Sequence, residues 1–578
     1  MTEQRDIEVP VLIVGAGPTG LTAARLLANA GRRSLVVERR GGAQPQPAAH
    51  VVNARTLEIF RQAGMDMAAI EAIAKPPADA GHVNFVTTLR GELIGRLPFE
   101  RQGDECLADT PTPLRNISQH RLEPILVAEV LDRPEVDLRY GVEWIAADQD
   151  ADGVTSRLRD VATGREFTVR SSVLLAADGA RSAVRQGEAI DMVGPASIQS
   201  FVAIHVLANL RAAVSDRLGV VHFVMDPVAA GTFIAHDLDR EWVFMRAFDP
   251  DAESIADYPP ERCADLVRAA VGDGPVDAPV DALVDALVDL EVVSAGTWHM
   301  TAQVAERFRS DRIFLVGDAA HRFPPTGGLG LNTGVADVHN LVWKLCAVED
   351  GWADRSLLDT YDAERRPVAA MNCRQSMDNA FKMVVLAEAL GLQPGATSHD
   401  LAAVLADPAR RPAIDDAVRQ QATHFDMPGL QLGYAYAQGA VAPDGVPPRP
   451  LVDPRLFEPD GAVGTRLPHG WLADGRSTLD LIDGSGLVLI SAGEHERWSA
   501  AADAAGVAMR CVALGNDVPG VEVPGVDAVV EPRWLAGCGI GAGEAVLVRP
   551  DQHIAWRSRD QAPSAEALRV AVATILGR

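Results

Sequence analysis

Near its start the chain carries four consecutive apolar residues, Val11-Leu12-Ile13-Val14, the unbroken pattern of a strand buried on both faces in a parallel sheet. A glycine-rich turn follows, then a stretch from Leu21 to Ala30 that predicts a helix. A second apolar run, Leu35-Val36-Val37, closes on Glu38. Ile313-Phe314-Leu315-Val316 predicts a further buried strand. From Ala54 to Ile73 apolar residues recur at helical spacing (Leu57, Phe60, Met65), predicting one helical stretch. Runs in 82–115 and 190–300, such as Phe201 to Val206 and Trp242 to Phe248, predict strands of an antiparallel sheet. Helices are predicted from Asn332 to Val348, from Ala363 to Leu390 and from Glu494 to Ala505. Pro394, Pro408, Pro412 and Pro428, then Pro443, Pro447, Pro448 and Pro450, mark loops and a boundary near 440.

The first turn reads Gly15-Ala16-Gly17-Pro18-Thr19-Gly20. Its glycines permit a tight turn and close backbone approach, and the helix behind it points its N-terminus at a pyrophosphate. Glu38, about twenty residues on, stands where a carboxylate accepts hydrogen bonds from an adenosine ribose. These features fit NAD and FAD equally.

Two later segments tilt the choice. Val173-Leu174-Leu175-Ala176-Ala177-Asp178-Gly179-Ala180-Arg181-Ser182 and Val316-Gly317-Asp318-Ala319-Ala320-His321-Arg322-Phe323-Pro324-Pro325 resemble the Asp-Gly and Gly-Asp motifs of the single-component FAD-dependent aromatic hydroxylases. Leu122 to Leu126, Asp150 to Asp160 and Leu358 to Val368 resemble the branch acting on phenol, 2,4-dichlorophenol and 2-hydroxybiphenyl. The similarity covers residues 1 to about 385 and more loosely the tail.

The resemblance implies an α/β fold: a Rossmann-like FAD-binding domain of the para-hydroxybenzoate hydroxylase type, an inserted antiparallel-sheet substrate domain and a C-terminal thioredoxin-like domain. The expected boundaries are 1–80, 116–185 and 300–385 for the discontinuous FAD domain, and 81–115 with 186–299 for the substrate domain. Residues 386–449 are expected as a helical and linker region, and 450–578 as the thioredoxin-like domain. With Cys511 and Cys538 27 residues apart and no CxxC, that last domain is expected to be structural.

The resemblance also assigns residues. Gly15, Gly17, Pro18, Thr19, Gly20, Glu38, Arg39, Gln119, Asp178, Asp318, Gly328, Gly330, Leu331 and Asn332 are expected to hold FAD, with Asp318 on a ribityl hydroxyl and the Gly328–Asn332 amides at the flavin's pyrimidine edge. Pro325 is expected beside the reactive edge. The implied reaction passes oxygen from O2, through a flavin C4a-hydroperoxide, to a phenolic ring, ortho to its hydroxyl. Electrons come from NADPH or NADH docking transiently in a groove, since Gly541-Ala542-Gly543-Glu544 lacks the third glycine of a second nucleotide fold. Ionising the phenol, with a pKa near 10, costs about 4 kcal/mol at neutral pH. His50 is the candidate base. A structural histidine at the start of the helix near Asn53 is the other reading.

The chain departs from these relatives. Ala48 stands where they carry arginine, leaving Arg55 or Arg39 to compensate, and Asn116 stands where they carry aspartate. No counterpart of the biphenyl branch's substrate-sheet arginine is present, and His236 and Arg246 are alternative pocket residues. His321 is either a second polar contact or a helix-start residue. These departures keep open a tailoring monooxygenase acting on a polyketide or other natural product by hydroxylation, epoxidation or Baeyer-Villiger insertion. A non-catalytic carrier on the same fold is the third reading.

Composition narrows the partners. At 578 residues, two or three domains are expected. A net charge of -26 opposes binding to nucleic acid or anionic membrane; the partners that the resemblance implies are a small aromatic substrate and O2, and self-assembly into a homo-oligomer stays open. Six scattered cysteines suggest neither a disulfide scaffold nor a metal site. Met1 to Asp6 lacks the basic start of a signal peptide and no apolar run reaches membrane length, so a cytoplasmic location is expected.

Overall fold

The computed structural model describes residues 7–272, 289–506, 508–516, 526–559 and 562–578. Met1 to Asp6, read above for targeting, and parts of the expected substrate and C-terminal domains lie outside the described residues.

The run Val11 to Val14 ends strand Ile7–Val14, in the middle of an eight-stranded sheet. It pairs in parallel with Ser34–Glu38 on one side and Glu166–Ala176 on the other, and Ile313–Leu315 continues the parallel order beyond the latter. Leu12, Ile13, Leu35, Val36, Leu174 and Leu175 are fully buried, each worth about 1.5–3 kcal/mol in apolar burial. Because these four strands run the same way, their carboxyl ends share one edge. Gly15, Asp178 and Asp318 follow such ends and Glu38 is itself the last residue of its strand, at the edge where open parallel sheets bind ligands.

A seven-stranded sheet runs in the order Glu291–Met300, Gln199–Leu207, Glu241–Phe248, Gly231–Asp237, Val221–Val224, His82–Val86 and Leu93–Pro98. It is antiparallel as expected except where Val221–Val224 meets His82–Val86 in parallel. Those two strands come from separate insertions, so no hairpin dictates their direction. The stretch expected as a helix from Ala54 to Ile73 is two helices, Ala54–Gln62 and Met67–Ala72. Gly64, at φ 65°, ends the first, and the Asp66 carboxylate caps the second by accepting from Ala69 N. Within 386–449, helices Ser398–Ala406 and Arg411–Gln420 are more than a linker: Leu401, Ile414 and Val418 pack against Phe85, Ile94 and Leu97 of the inserted sheet.

The C-terminal region folds around a five-stranded sheet in the order Ala528–Val530, Met509–Asn516, Leu487–Ser491, Ala545–Val548 and Ile554–Arg557. The first three strands are parallel and the last two antiparallel, a thioredoxin-like mixture. Burial raises the pKa of both Cys511 and Cys538, the opposite of what a reactive thiol needs.

This region is fused to the rest by buried charges. Arg549 donates to Glu364 Oε1 at 2.8 Å and to Asp551 Oδ2 at 2.5 Å, and Lys344 reaches Glu364 at 2.7 Å, all in nearly complete burial. Burial alone would raise the Glu364 pKa, but Arg549 and Lys344 hold it down to about 2. Among the described residues no helix is long and apolar enough to cross a membrane.

Candidate functional site: a dinucleotide cleft beneath an inserted sheet

The glycine turn is built by contact. Gly15 sits at φ 108° and donates its N–H to Val37 O at 2.8 Å; a Cβ there would lie 2.2 Å from Ala177 O. A Cβ on Gly20 would lie 2.0 Å from Gly15 O, so only glycine lets helix Pro18–Asn29 approach the strand this closely. Gly17 is its N-cap, faces open space and offers no side-chain cap, and Pro18 occupies the first turn. Thr19 lies against the later Gly-Asp motif: its Oγ1 is 2.8 Å from the Cβ position of Gly317 and 2.4 Å from that of Gly334. Three motifs spread over three hundred residues therefore meet at one edge.

Glu38 is buried, accepting from Ala16 N at 3.1 Å and from Arg40 N and Nε at 3.0 Å. Burial pushes its pKa up, but the Arg40 and Ala16 hydrogen bonds outweigh it and keep the group ionised. Arg40, not the exposed Arg39, is thus the arginine that pairs with Glu38. Asp178 leaves Oδ1 buried without a partner while Oδ2 accepts from Val184 N at 3.2 Å, and burial raises its pKa. Asp318 is exposed at its side chain yet hemmed in by protein, which raises its pKa against the pull of His321 and Arg322.

Helix Gly330–Glu349 begins with no side-chain cap, which leaves the first-turn amides of Gly330, Leu331 and Asn332 as donors beside Asp318. Gly328, at φ 62°, packs onto Val51, and a Cβ there would come within 2.7 Å of it. Pro325 is exposed, and its carbonyl accepts from Gly328 N at 3.1 Å, closing the turn. The Asn332 side chain is fully used: it accepts from Asn53 N at 2.9 Å and Thr56 Oγ1 at 2.8 Å and donates to Val51 O and Gly328 O. It staples the His50 segment onto the glycine loop, and only its backbone N–H remains for a ligand.

An orphaned acidic oxygen, an exposed carboxylate, a glycine-lined approach and two uncapped helix N-termini fit a dinucleotide with a hydroxylated chain and a hydrogen-bonding ring edge. The residues present fit FAD.

A model of an FAD binding domain matches residues 8–376, and a model of the aromatic-ring hydroxylase C-terminal domain matches 460–578. A putative polyketide hydroxylase of Streptomyces coelicolor is 34% identical, with 99% of this chain and 97% of that one covered. The chain belongs to the FAD-dependent aromatic-ring hydroxylases. Within this family, 2,4-dichlorophenol 6-monooxygenase of Cupriavidus pinatubonensis is 32% identical over 99% of this chain and 97% of its own. The flavin-dependent monooxygenase PieE, solved with FAD and substrate, superposes with a TM-score of 0.85 at 32% identity, covering 99% of both chains.

Above the cleft of this hydroxylase, His50 is half-buried, its ring stacked 6.2 Å from Phe99 and edge-on 6.1 Å from His236. Its Nδ1 meets Asn116 Oδ1 at 3.2 Å, while Asn116 Nδ2 is buried without a partner. Desolvation and then the Lys75 ammonium pull the His50 pKa down to about 4, against the Asn116 hydrogen bond. His50 does not cap the following helix; Asn53 does, accepting from Thr56 N. Gln119 N donates to Ala49 O at 2.8 Å and its Nε2 to Glu123 at 2.7 Å, so it orders the same segment.

Several expected contacts lie elsewhere. Arg55, offered as a substitute for the arginine missing at Ala48, is buried and bonds Glu58, Gln552 Oε1 at 2.6 Å and Asp551 O at 2.9 Å, because the C-terminal sheet supplies acceptors the cleft does not. His321 is neither a helix start nor an open contact: it is buried, with Nε2 2.7 Å from Asp337 Oδ2. Asp337, absent from the sequence reading, also receives Gly317 N and Arg365 Nε, fixing the Gly-Asp turn from behind. Arg246 bonds Val228 O at the surface, whereas His236 is buried with Nδ1 2.5 Å from Ser118 Oγ. Lys75 was missed as well; it precedes Pro76-Pro77 where the apolar helix pattern has already ended, and nothing local marks it.

Proposed function

We propose that this monooxygenase takes electrons from NADPH or NADH and hydroxylates a polycyclic hydroxyaromatic of polyketide type, ortho to a hydroxyl acidic enough to be ionised near neutrality. The observation that carries this reading is the neutral amide at His50. A phenol with a pKa near 10 facing a base of about 4 loses its proton uphill by some six units, or about 8 kcal/mol. An electron-poor hydroxyarene, such as one conjugated to a carbonyl, arrives already ionised and needs no such base.

FAD, when bound, supplies the activated oxygen. The Gly15–Gly20 turn and the two helix N-termini bind its diphosphate and ring edge, and Asp318 accepts from its sugar-alcohol chain. The inserted sheet excludes water, and Phe99 and His50 orient the ring of the substrate. His50, neutral at pH 7, takes up a proton transiently as the oxygenated ring carbon gives up its hydrogen.

A second reading, a small phenol acidified by halogen or nitro groups, is supported by the relatives named 2,4-dichlorophenol 6-monooxygenase and 4-methyl-5-nitrocatechol 5-monooxygenase and makes the same demand on acidity. Substrate-stimulated oxidation of NADPH or NADH with product analysis, run on plain phenol, 2,4-dichlorophenol and a hydroxylated anthraquinone, tests the proposal. Coupled turnover is expected to rise in that order. Turnover of plain phenol above both others would refute it.

A further inference from the structure

We propose that Lys75 is the anion-binding group of the substrate site, holding the ionised hydroxyl of the substrate beside His50 and so selecting for acidic hydroxyarenes. This rests on the reading above and names the residue that enforces it.

Lys75 is fixed by both walls of the site. Its backbone N–H donates to Asn116 O at 2.9 Å, on the residue that bonds His50, and its Nζ donates to Ala235 O, the residue before His236 on the inserted sheet. No carboxylate lies within ion-pair distance of it among the described residues. Other half-buried cations nearby are paired: Arg121 reaches Glu241 at 3.0 Å, and Arg211 reaches Asp79 at 2.6 Å. An ammonium withdrawn from water and hydrogen-bonded to a carbonyl, with its nearest carboxylates beyond ion-pair distance, is costly unless a negative group joins it.

The surroundings agree. Burial, then Arg121, pulls the Lys75 pKa down to about 7, against Asp237, Asp79 and Glu241. The rings on the same wall are kept neutral: desolvation comes first for both His50 and His236, and Lys75 depresses each further. Lys75 is therefore poised to be cationic at neutral pH, and an arriving anion stabilises its charged form. The ammonium keeps its proton, the substrate has already lost its own to solvent, and no bond is made or broken in binding.

The test uses the FAD-loaded enzyme and 2-hydroxy-1,4-naphthoquinone, which is strongly coloured only when ionised, titrated by difference spectroscopy between pH 4 and 8. The wild type is expected to bind the anion and to lower the bound quinone's pKa. Lys75→Met is expected to raise that bound pKa by about one to two units and to weaken anion binding about ten- to hundred-fold, with an unchanged flavin spectrum. Lys75→Gln serves the same purpose should Lys75→Met not accumulate, and Lys75→Arg is expected to restore anion binding. Equal anion binding by wild type and both neutral variants overturns the Lys75 assignment alone. Failure of the wild type to bind the anion overturns it together with the proposed function. Lys75-dependent anion binding without turnover of any acidic hydroxyarene upholds Lys75 and overturns the function.

Discussion

Replacing Asn116 by Asp puts a carboxylate where the amide now faces His50 Nδ1 at 3.2 Å. Two unit charges about 4 Å apart in surroundings of effective dielectric near 20 attract by ~4 kcal/mol. At 1.36 kcal/mol per unit this lifts a pKa by ~3 units. His50 would then move from about 4 into the range of roughly 6–7. Lys75 stabilises the new carboxylate and limits what its burial costs.

The cost of passing a plain phenol's proton to His50 falls from about 8 to ~4 kcal/mol, which raises the ceiling on its turnover by ~10³-fold; a measured gain of ten- to hundred-fold is the practical expectation. The sign in pH is also fixed. A base with a pKa of about 4 is deprotonated throughout the range from pH 5 upward, so wild-type kcat/KM carries no His50 limb there. Asn116→Asp introduces one, with activity lost as pH falls below the new pKa. The assay is kcat/KM for phenol and 2,4-dichlorophenol from pH 5 to 9, with the His50 titration followed by NMR. A variant with an unchanged profile and no gain on phenol would refute the claim that the neutral partner at 116 sets the acidity requirement.

Asp318→Ala is expected to weaken FAD about ten- to hundred-fold, the loss of one hydrogen bond to a charged acceptor at ~1.5–3 kcal/mol, measured by fluorescence of released flavin. Retention of FAD through gel filtration at wild-type levels would remove Asp318 from the site. Glu364, whose folded pKa of about 2 lies below its ordinary value of 4.5, contributes stability that is complete above pH 4.5 and lost as pH falls toward 2. Glu364→Gln is therefore expected to lower stability by ~3–5 kcal/mol at pH 7 and to lose less than wild type between pH 5 and 3 in urea titrations. Parallel pH dependence in the two proteins would count against the assignment.

What the sequence disclosed was whatever has a local signature. Val11 to Val14 must be a buried parallel strand, and Gly15 and Gly20 stand where any Cβ would strike backbone. The Asp-Gly and Gly-Asp motifs follow strands of the same sheet, so their convergence was legible from order alone. Contacts between distant segments were not. Asn116 and His50 are both visible as letters, yet their facing each other depends on the short ladder in which Val51 pairs with Asn116. Lys75 acquires its meaning from Ala235, 160 residues away. Arg55 was expected in the cleft because its neighbours are there, but acceptors at 551 and 552, nearly five hundred residues on, turn it away. The split of the helix at Gly64 was local, and the continuing apolar spacing across it hid the break.

The tie between Arg55 and the hairpin tip at Asp551 and Gln552 makes the tail a poor part to exchange. Helix Ala54–Gln62 is held near its N-terminus both by that tip, through Arg55, and, through Asn53, by Asn332 on the glycine loop, while at its C-terminus Gln62 donates to Pro550 O at 2.9 Å. A chimera that imports the tail of another hydroxylase would bring a tip shaped for a different helix and shift the glycine loop tied to the same helix end. Recombining these enzymes for new substrates therefore calls for moving helix Ala54–Gln62 together with the tail that holds it.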